Sequence, residues 1–234
     1  MAKGLLVDFW GTLFYPSITI EEYHRLRARK VAESLSSSGY NLDVEKVYNA
    51  YLEARRIADE IRNHSLREVD LTGELVLLLN LLKVNPTSEL LASLREAYMY
   101  PYLYSLSLAP GAPDLLLEAR RLGYKIILAS NTMSGEYTVL LLRKNGMLTL
   151  FDYLGFSDEI CFRKPHPRFY SWIIHQTGIN PQESVFIGDE EGDILGAKSF
   201  GMRTIAFTGF HDYMGKTEPD YTARTMQGIH ELLG

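Results

Sequence analysis

Two patterns of hydrophobic and polar positions divide this chain. Gly4-Leu5-Leu6-Val7 is a short apolar run that stops abruptly at Asp8. That is the pattern of a buried strand carrying an acid at its carboxyl end. From about Ile20 to about Leu106 the apolar residues recur at helical spacing among Glu, Arg, Ala and Leu. This stretch reads as helices, broken at Ser36-Ser37-Ser38-Gly39 and at Asn85-Pro86-Thr87-Ser88. After Pro110-Gly111 the rhythm becomes an alternation. Helices are expected over Asp114–Arg121, Glu136–Lys144, Pro167–Thr177 and Ile194–Phe200. Strands are expected over Tyr124–Ala129, Phe151–Phe156, Ser184–Ile187 and Thr204–Phe207. Strands alternating with helices of this length require right-handed crossovers and a parallel sheet, so the fold class is α/β. The helical stretch is then an insertion after the first strand. It divides the chain into core residues 1–14, insertion 15–108 and core 109–234, with hinges near Tyr15-Pro16 and Ala109-Pro110.

Composition narrows the class without changing it. The 234 residues are 46% hydrophobic and 23% charged, which suits a folded globular chain and not a disordered one. A net charge of −5 argues against nucleic acid as the main partner. No apolar run approaches the roughly 20 residues of a membrane helix. The N-terminal residues show no signal-peptide core before Asp8. The single Cys161 rules out an internal disulfide, and a cytoplasmic location is expected.

Three polar clusters sit at strand ends. Asp8, Ser130-Asn131 and Gly188-Asp189 each follow an apolar run directly. Parallel sheets bind ligands outside the carboxyl ends of their strands, so the three are expected to converge. Asp8, Asp189 and Asp193 brought together would repel one another unless a cation shared the site. A hard divalent ion held by carboxylates and a substrate phosphate fits Mg²⁺. Lys164 could add a positive charge, Thr12 and Ser130 could add hydroxyl donors, and Gly11 permits close backbone approach. An aspartate among such groups suits nucleophilic phosphoryl transfer.

Asp8-Phe9-Trp10-Gly11-Thr12-Leu13, Ser130-Asn131, Lys164-Pro165 and Gly188-Asp189-Glu190-Glu191-Gly192-Asp193 together resemble the four motifs of the haloacid dehalogenase-like (HAD) hydrolase superfamily, in the same order. The resemblance implies a Rossmann-like core with an inserted helical cap. It implies Asp8 as nucleophile and Lys164 as the charge that steadies it. It implies Thr12, Ser130 and Asn131 as substrate or phosphate binders. It also implies Asp8, Asp189, Asp193 and the Trp10 backbone carbonyl as Mg²⁺ ligands.

The first motif departs from the family's phosphatases, which carry a second Asp where this chain has Trp10. An absent general acid costs roughly 10²–10⁴ in rate, least for substrates with good leaving groups. Haloacid dehalogenases have an aromatic residue at that place, and Lys164 to Tyr170 resembles their K-P-x-x-R-x-Y stretch. Tyr170 is therefore a further site candidate, and so is Glu190, which could replace the missing acid. A halide would also need a cradle, but Arg25, Arg27, Arg29, Arg55, Arg56, Arg62 and Arg67 all lie in the insertion and the sequence does not choose among them. Dehalogenases need no metal, however, and extra carboxylates beside Asp8 make sense only with one. The expected function is a Mg²⁺-dependent phosphatase of small phosphorylated metabolites. A 2-haloacid dehalogenase and a catalytically weakened binding or regulatory protein are the alternatives. Cys161 between Ile160 and Phe162 reads as a small buried hydrophobe, and Glu191 reads as a solvated charge at a helix start.

Overall fold

The computed structural model describes residues 2–233. Strand β1 (Gly4–Val7) is wholly buried. The chain turns through residues 8–13 into β2 (Phe14–Pro16). Four helices follow: α1 (Ile20–Ser37), α2 (Val44–Ser65), α3 (Leu71–Leu81) and α4 (Ser88–Tyr104). β3 (Leu106–Leu108) then returns antiparallel to β2, with Phe14 opposite Leu108. The remainder runs α5 (Ala112–Arg121), β4 (Lys125–Ser130), α6 (Gly135–Lys144), β5 (Tyr153–Phe156), α7 (Ser157–Ile160), α8 (Pro167–Thr177), β6 (Val185–Gly188), α9 (Glu191–Ser199), β7 (Arg203–Phe207), β8 (Tyr221–Ala223) and α10 (Met226–Leu233).

One parallel sheet has the order β5-β4-β1-β6-β7-β8. The order reverses at β1, whose neighbours are β4 on one side and β6 on the other. A crevice therefore opens at the carboxyl end of β1, where Asp8 stands. Helices cover both faces because strands buried on both sides are apolar throughout, as in Leu5-Leu6-Val7 and Ile126-Ile127-Leu128.

Each insertion helix begins on a side-chain cap. Thr19 and Glu22 form a reciprocal capping box for α1, while Asp43, Asp70 and Thr87 start α2, α3 and α4. α1 buries Tyr23, Arg27, Val31 and Leu35, a face with a four-residue repeat. The apolar run of α3 is core, with Leu75, Leu78 and Leu79 fully buried. The insertion is docked on the rest of the chain. Leu71 N donates to the Met133 carbonyl (2.8 Å), and Phe9 stacks on Tyr102 with centroids 5.7 Å apart.

A buried ionic cluster locks this docking. Arg62 meets Glu68 (2.8 Å), Asp59 (2.8 Å) and Glu74 (2.6 Å). Glu74 also accepts from the Tyr98 hydroxyl, and Glu68 from Arg163 and from Ser157 Oγ (2.5 Å). Removing one partner leaves the other charge buried and unpaired, which costs about 3–5 kcal/mol. Arg62→Met leaves the fully buried Glu74 without a cation partner and is therefore expected to lower the midpoint of urea unfolding by that amount of stability. A midpoint equal to wild type would show the cluster to be dispensable.

Two sequence readings are corrected. Cys161 is exposed, because it ends the single turn of α7 in a left-handed conformation, φ 66°. Glu191 is not merely solvated. It accepts from Thr217 N (3.0 Å), Thr217 Oγ1 (2.7 Å) and the Tyr213 hydroxyl (3.0 Å) and so tethers the loop after β7. The β2–β3 ladder, β8 and α10 had no expectation from the sequence.

Candidate active site

β1 delivers Asp8 to the crevice, and Asp8 N donates to the Ile187 carbonyl of β6 (2.9 Å). β6 delivers Asp189, and the first turn of α9 delivers Asp193. All three carboxylates are buried, and each offers an oxygen within 4.8 Å of the others. The turn after Asp8 must pass close to Asp189. Gly11 allows this with φ +82°, since a Cβ there would lie 2.2 Å from Asp189 Oδ2.

Lys164 precedes α8 and reaches the same point. Its ammonium donates to Asp8 Oδ1, to Asp193 Oδ1 (2.6 Å) and to the Ala129 carbonyl (2.8 Å). All three protons are thus directed. Burial disfavours the ammonium, but Asp193 and Asp8 outweigh it and raise its pKa above the ordinary lysine value. Asp193 Oδ2 accepts from the backbone N–H groups of Asp189 (3.1 Å) and Glu190 (3.0 Å). Asp193 is therefore engaged on both oxygens and aligns Lys164 and the start of α9.

Burial pushes Asp8 up to about 7, with the Asp193 charge adding to it against the pull of Lys164. Burial, then the charges of Asp8 and Asp193, push Asp189 up to about 9. Carboxylates held this way want a cation. The donor set of hard oxygens fits Mg²⁺, with Asp8 and Asp189 best placed to hold it and the Trp10 carbonyl in the same turn as Asp8.

The other expected residues divide. Ser130, Asn131 and Glu190 line the same cavity as Asp8 and Lys164. Asn131 also grips the lysine backbone, its Oδ1 accepting from Lys164 N (2.8 Å) and its Nδ2 donating to the Lys164 carbonyl (3.3 Å). Thr12 differs from its expected role at the phosphate. It is fully buried, and its hydroxyl donates to Asp189 Oδ1 (2.8 Å), so it orients that carboxylate. Tyr170 also differs. Its hydroxyl donates to the carbonyls of Gly192 (2.8 Å) and Asp193 (3.2 Å) beneath α9, away from the cavity. The Trp10 indole packs edge-on to Tyr23 and stacks on Tyr102 in the cavity wall.

The sequence missed two histidines. His211, in the loop after β7, places Nε2 2.9 Å from Asp189 Oδ2. His24, on α1, lines the cavity. Neither follows a strand or belongs to a motif, so no local signal marks them. Of the seven insertion arginines, Arg27, Arg55 and Arg62 face the cavity. Arg25 and Arg56 pair with exposed glutamates instead.

The site is that of a doubly wound α/β enzyme, with an acid-rich crevice at the switch point of its sheet. The chain belongs to the haloacid dehalogenase-like hydrolases, whose family model matches residues 2–201. It is 25% identical over 239 residues to a glyceraldehyde 3-phosphate phosphatase of Methanocaldococcus jannaschii, covering 100% of this chain and 96% of that one. It is 28% identical over 238 residues to a ribulose-1,5-bisphosphate 5-phosphatase of Halopiger xanaduensis, covering 99% and 95%. A HAD phosphatase of Thermococcus onnurineus shares the fold, with a TM-score of 0.69, 24% identity, and 99% and 98% of the two chains covered. No helix among the described residues is long and apolar enough to cross a membrane.

Proposed function

We propose that this hydrolase is a Mg²⁺-dependent phosphatase of small phosphorylated metabolites, with Asp8 as its nucleophile and the four-helix insertion as its cap. The observation that carries the reading is the buried trio Asp8, Asp189 and Asp193, drawn together beside Lys164, with Asp8 and Lys164 lining one cavity. The names of the relatives point the same way. A cavity of about 270 Å³ is small beside the roughly 300–1,000 Å³ of sites for drug-sized ligands, as a small metabolite requires. A cytoplasmic location suits a chain whose one cysteine is free.

Lys164 occupies Asp8 Oδ1 and leaves Oδ2 for attack. A bond forms from that oxygen to phosphorus as the ester P–O bond breaks, and the leaving oxygen takes the bonding pair. Water then attacks phosphorus as the Asp8 O–P bond breaks, one of its protons passes through solvent to the leaving oxygen, and phosphate departs with Asp8 restored as a carboxylate. Bound Mg²⁺ would neutralise charge on the transferring group. Ser130 supplies a donor to that group, and the Lys164 charge beside Asp8 adds to its stabilisation. Trp10 cannot protonate the leaving oxygen, so esters with acidic leaving groups are favoured.

The test is phosphate release from p-nitrophenyl phosphate with Mg²⁺ and with EDTA, beside chloride release from 2-chloropropionate. Mg²⁺-dependent phosphate release is expected. Chloride release that persists in EDTA, without phosphatase activity, would replace this reading with a dehalogenase. Trp10 is the observation that favours that competitor. Neither release at high enzyme concentration would point to a weakened binding or regulatory protein.

A further inference from the structure

Apart from Asp8, Lys164 and Glu190, the charged residues that line the cavity carry more positive charge than the acids paired with them. They are Arg27, Arg55, Arg62 and Arg163. Their neighbours are three carboxylates, Asp59, Glu68 and Glu74, so one positive charge is in excess. Arg62 takes all three acids and Arg163 takes Glu68. Arg55 has only Asp59, at 3.6 Å, and keeps 38% of its side chain exposed. Arg27 is buried and has no carboxylate partner among the described residues. Its Nε donates to the Tyr98 carbonyl (2.7 Å), Nη1 to the Tyr51 hydroxyl (3.1 Å) and Nη2 to the Tyr23 hydroxyl (2.9 Å). Glu74 acts on it from a distance but makes no hydrogen bond to it, so Arg27 adds to the positive potential that an anion entering the cavity would meet.

The same contacts determine how His24 presents itself. Tyr51 Oη accepts from Arg27, and among the described residues His24 Nδ1, 2.6 Å away, is the one acceptor within its hydrogen-bond reach, so its single proton goes there. Nδ1 therefore accepts, and the neutral ring carries its proton on Nε2. Burial, Arg55 and Arg27 hold this imidazole neutral by pushing it down to about 4. The remaining polar edge of His24 is thus an N–H donor near the guanidiniums of Arg55 and Arg27, whose charges outweigh the more weakly acting carboxylate of Asp59.

We infer that Arg55 and the His24 Nε2–H, backed by the charge of Arg27, bind a second anionic group of the substrate, a carboxylate or a second phosphate. This rests on the phosphatase reading and names its substrate class: phosphorylated acids or bisphosphates, as against phosphorylated alcohols and aldehydes. The two ends of the cavity divide the work. Asp8 and Ser130 meet the scissile phosphate, with Lys164 steadying Asp8. Arg55, fork-shaped and half-exposed, takes the far anion in the bidentate manner that guanidinium allows. A neutral hydroxymethyl at that end would leave the guanidinium desolvated and uncompensated, which is how polar sites reject analogues.

Three substrates of similar size test this: 2-phosphoglycolate, propane-1,3-diol bisphosphate and the neutral 2-hydroxyethyl phosphate. The wild-type enzyme is expected to favour one or both anionic esters in kcat/KM by about 10–100-fold, the worth of a charged hydrogen-bonded contact. Whether the carboxylate or the bisphosphate gains more identifies the second anion. In Arg55→Gln the preference is expected to fall to about one, and Arg55→Lys should keep part of it. The ratio is read within each variant, so a general loss of turnover does not mimic the result. Equal hydrolysis of all three by wild type, or a preference unchanged in Arg55→Gln, overturns the inference and leaves the phosphatase reading standing. No phosphate release from these esters or from p-nitrophenyl phosphate overturns both.

Discussion

Asp8→Asn is expected to lower the turnover of p-nitrophenyl phosphate by about 10⁴-fold or more, the usual cost of losing a covalent nucleophile. The substitution preserves shape. An amide oxygen is far less nucleophilic than a carboxylate, so attack on phosphorus fails while the cavity persists. Lys164 keeps Asp193 Oδ1 and the Ala129 carbonyl as partners, so its charge stays compensated and the variant should fold. The same experiment has a covalent readout. Acid-quenched wild-type enzyme should carry one phosphoryl group by mass during turnover, and Asp8→Asn none. A variant within about tenfold of wild type would mean that Asp8 does not attack, and that water is activated elsewhere in the crevice.

The second large effect is on stability. In the folded chain without metal, burial pushes Asp8 up to about 7 against the pull of Lys164, and burial with the charges of Asp8 and Asp193 pushes Asp189 up to about 9. Both values lie above those of an unfolded aspartate, so the folded state holds these protons more tightly. Stability from this source is complete below about pH 4. It is lost as the pH rises through about 7 and then about 9, as ionised carboxylates accumulate against each other. Mg²⁺ binds the ionised forms, so it should restore what high pH removes. At a concentration near 100 times its dissociation constant it is expected to raise Tm by roughly 5–10 °C near pH 8. The shift should be much smaller near pH 5. Asp189→Asn should abolish most of the shift and, without metal, should flatten the pH dependence. Equal shifts at both pH values, or a full shift in Asp189→Asn, would place the metal elsewhere.

The two effects separate two roles for the acids. In the proposed mechanism Asp8 is the reacting acid, and Asp189 and Asp193 make its surroundings. Asp189 is oriented by Thr12 (2.8 Å), while Asp193 locks Lys164 and the amides of Asp189 and Glu190. Thr12 and Tyr170 act at one remove, through carboxylate and backbone, and not on the substrate.

Much of this was legible in the residues themselves. The α/β alternation, the strand before Asp8 and the strand before Asp189 are local patterns, and local patterns follow from periodicity and turn chemistry. Pro167–Thr177 is a helix over the span that its first Pro and closing Gly178 require. The convergence of Asp8, Ser130 and Asp189 also followed from sequence, because parallel strands present their carboxyl ends on one side. What the sequence could not supply was any choice that depends on direction in space. Seven arginines in the insertion look alike along the chain, but Arg27 and Arg55 face the cavity while Arg25 and Arg56 face solvent glutamates. Thr12 and Ser130 are both hydroxyls near the nucleophile, but one is turned onto Asp189 and the other onto the cavity. The β2–β3 ladder pairs Phe14 with Leu108, residues far apart in sequence, and three-residue strands carry no periodic signal of their own. Periodicity reports which face of an element is buried. Only the packing of the insertion on the sheet decides which buried charge meets a carboxylate, and which, like Arg27, is hydrogen-bonded by a carbonyl and tyrosine hydroxyls alone.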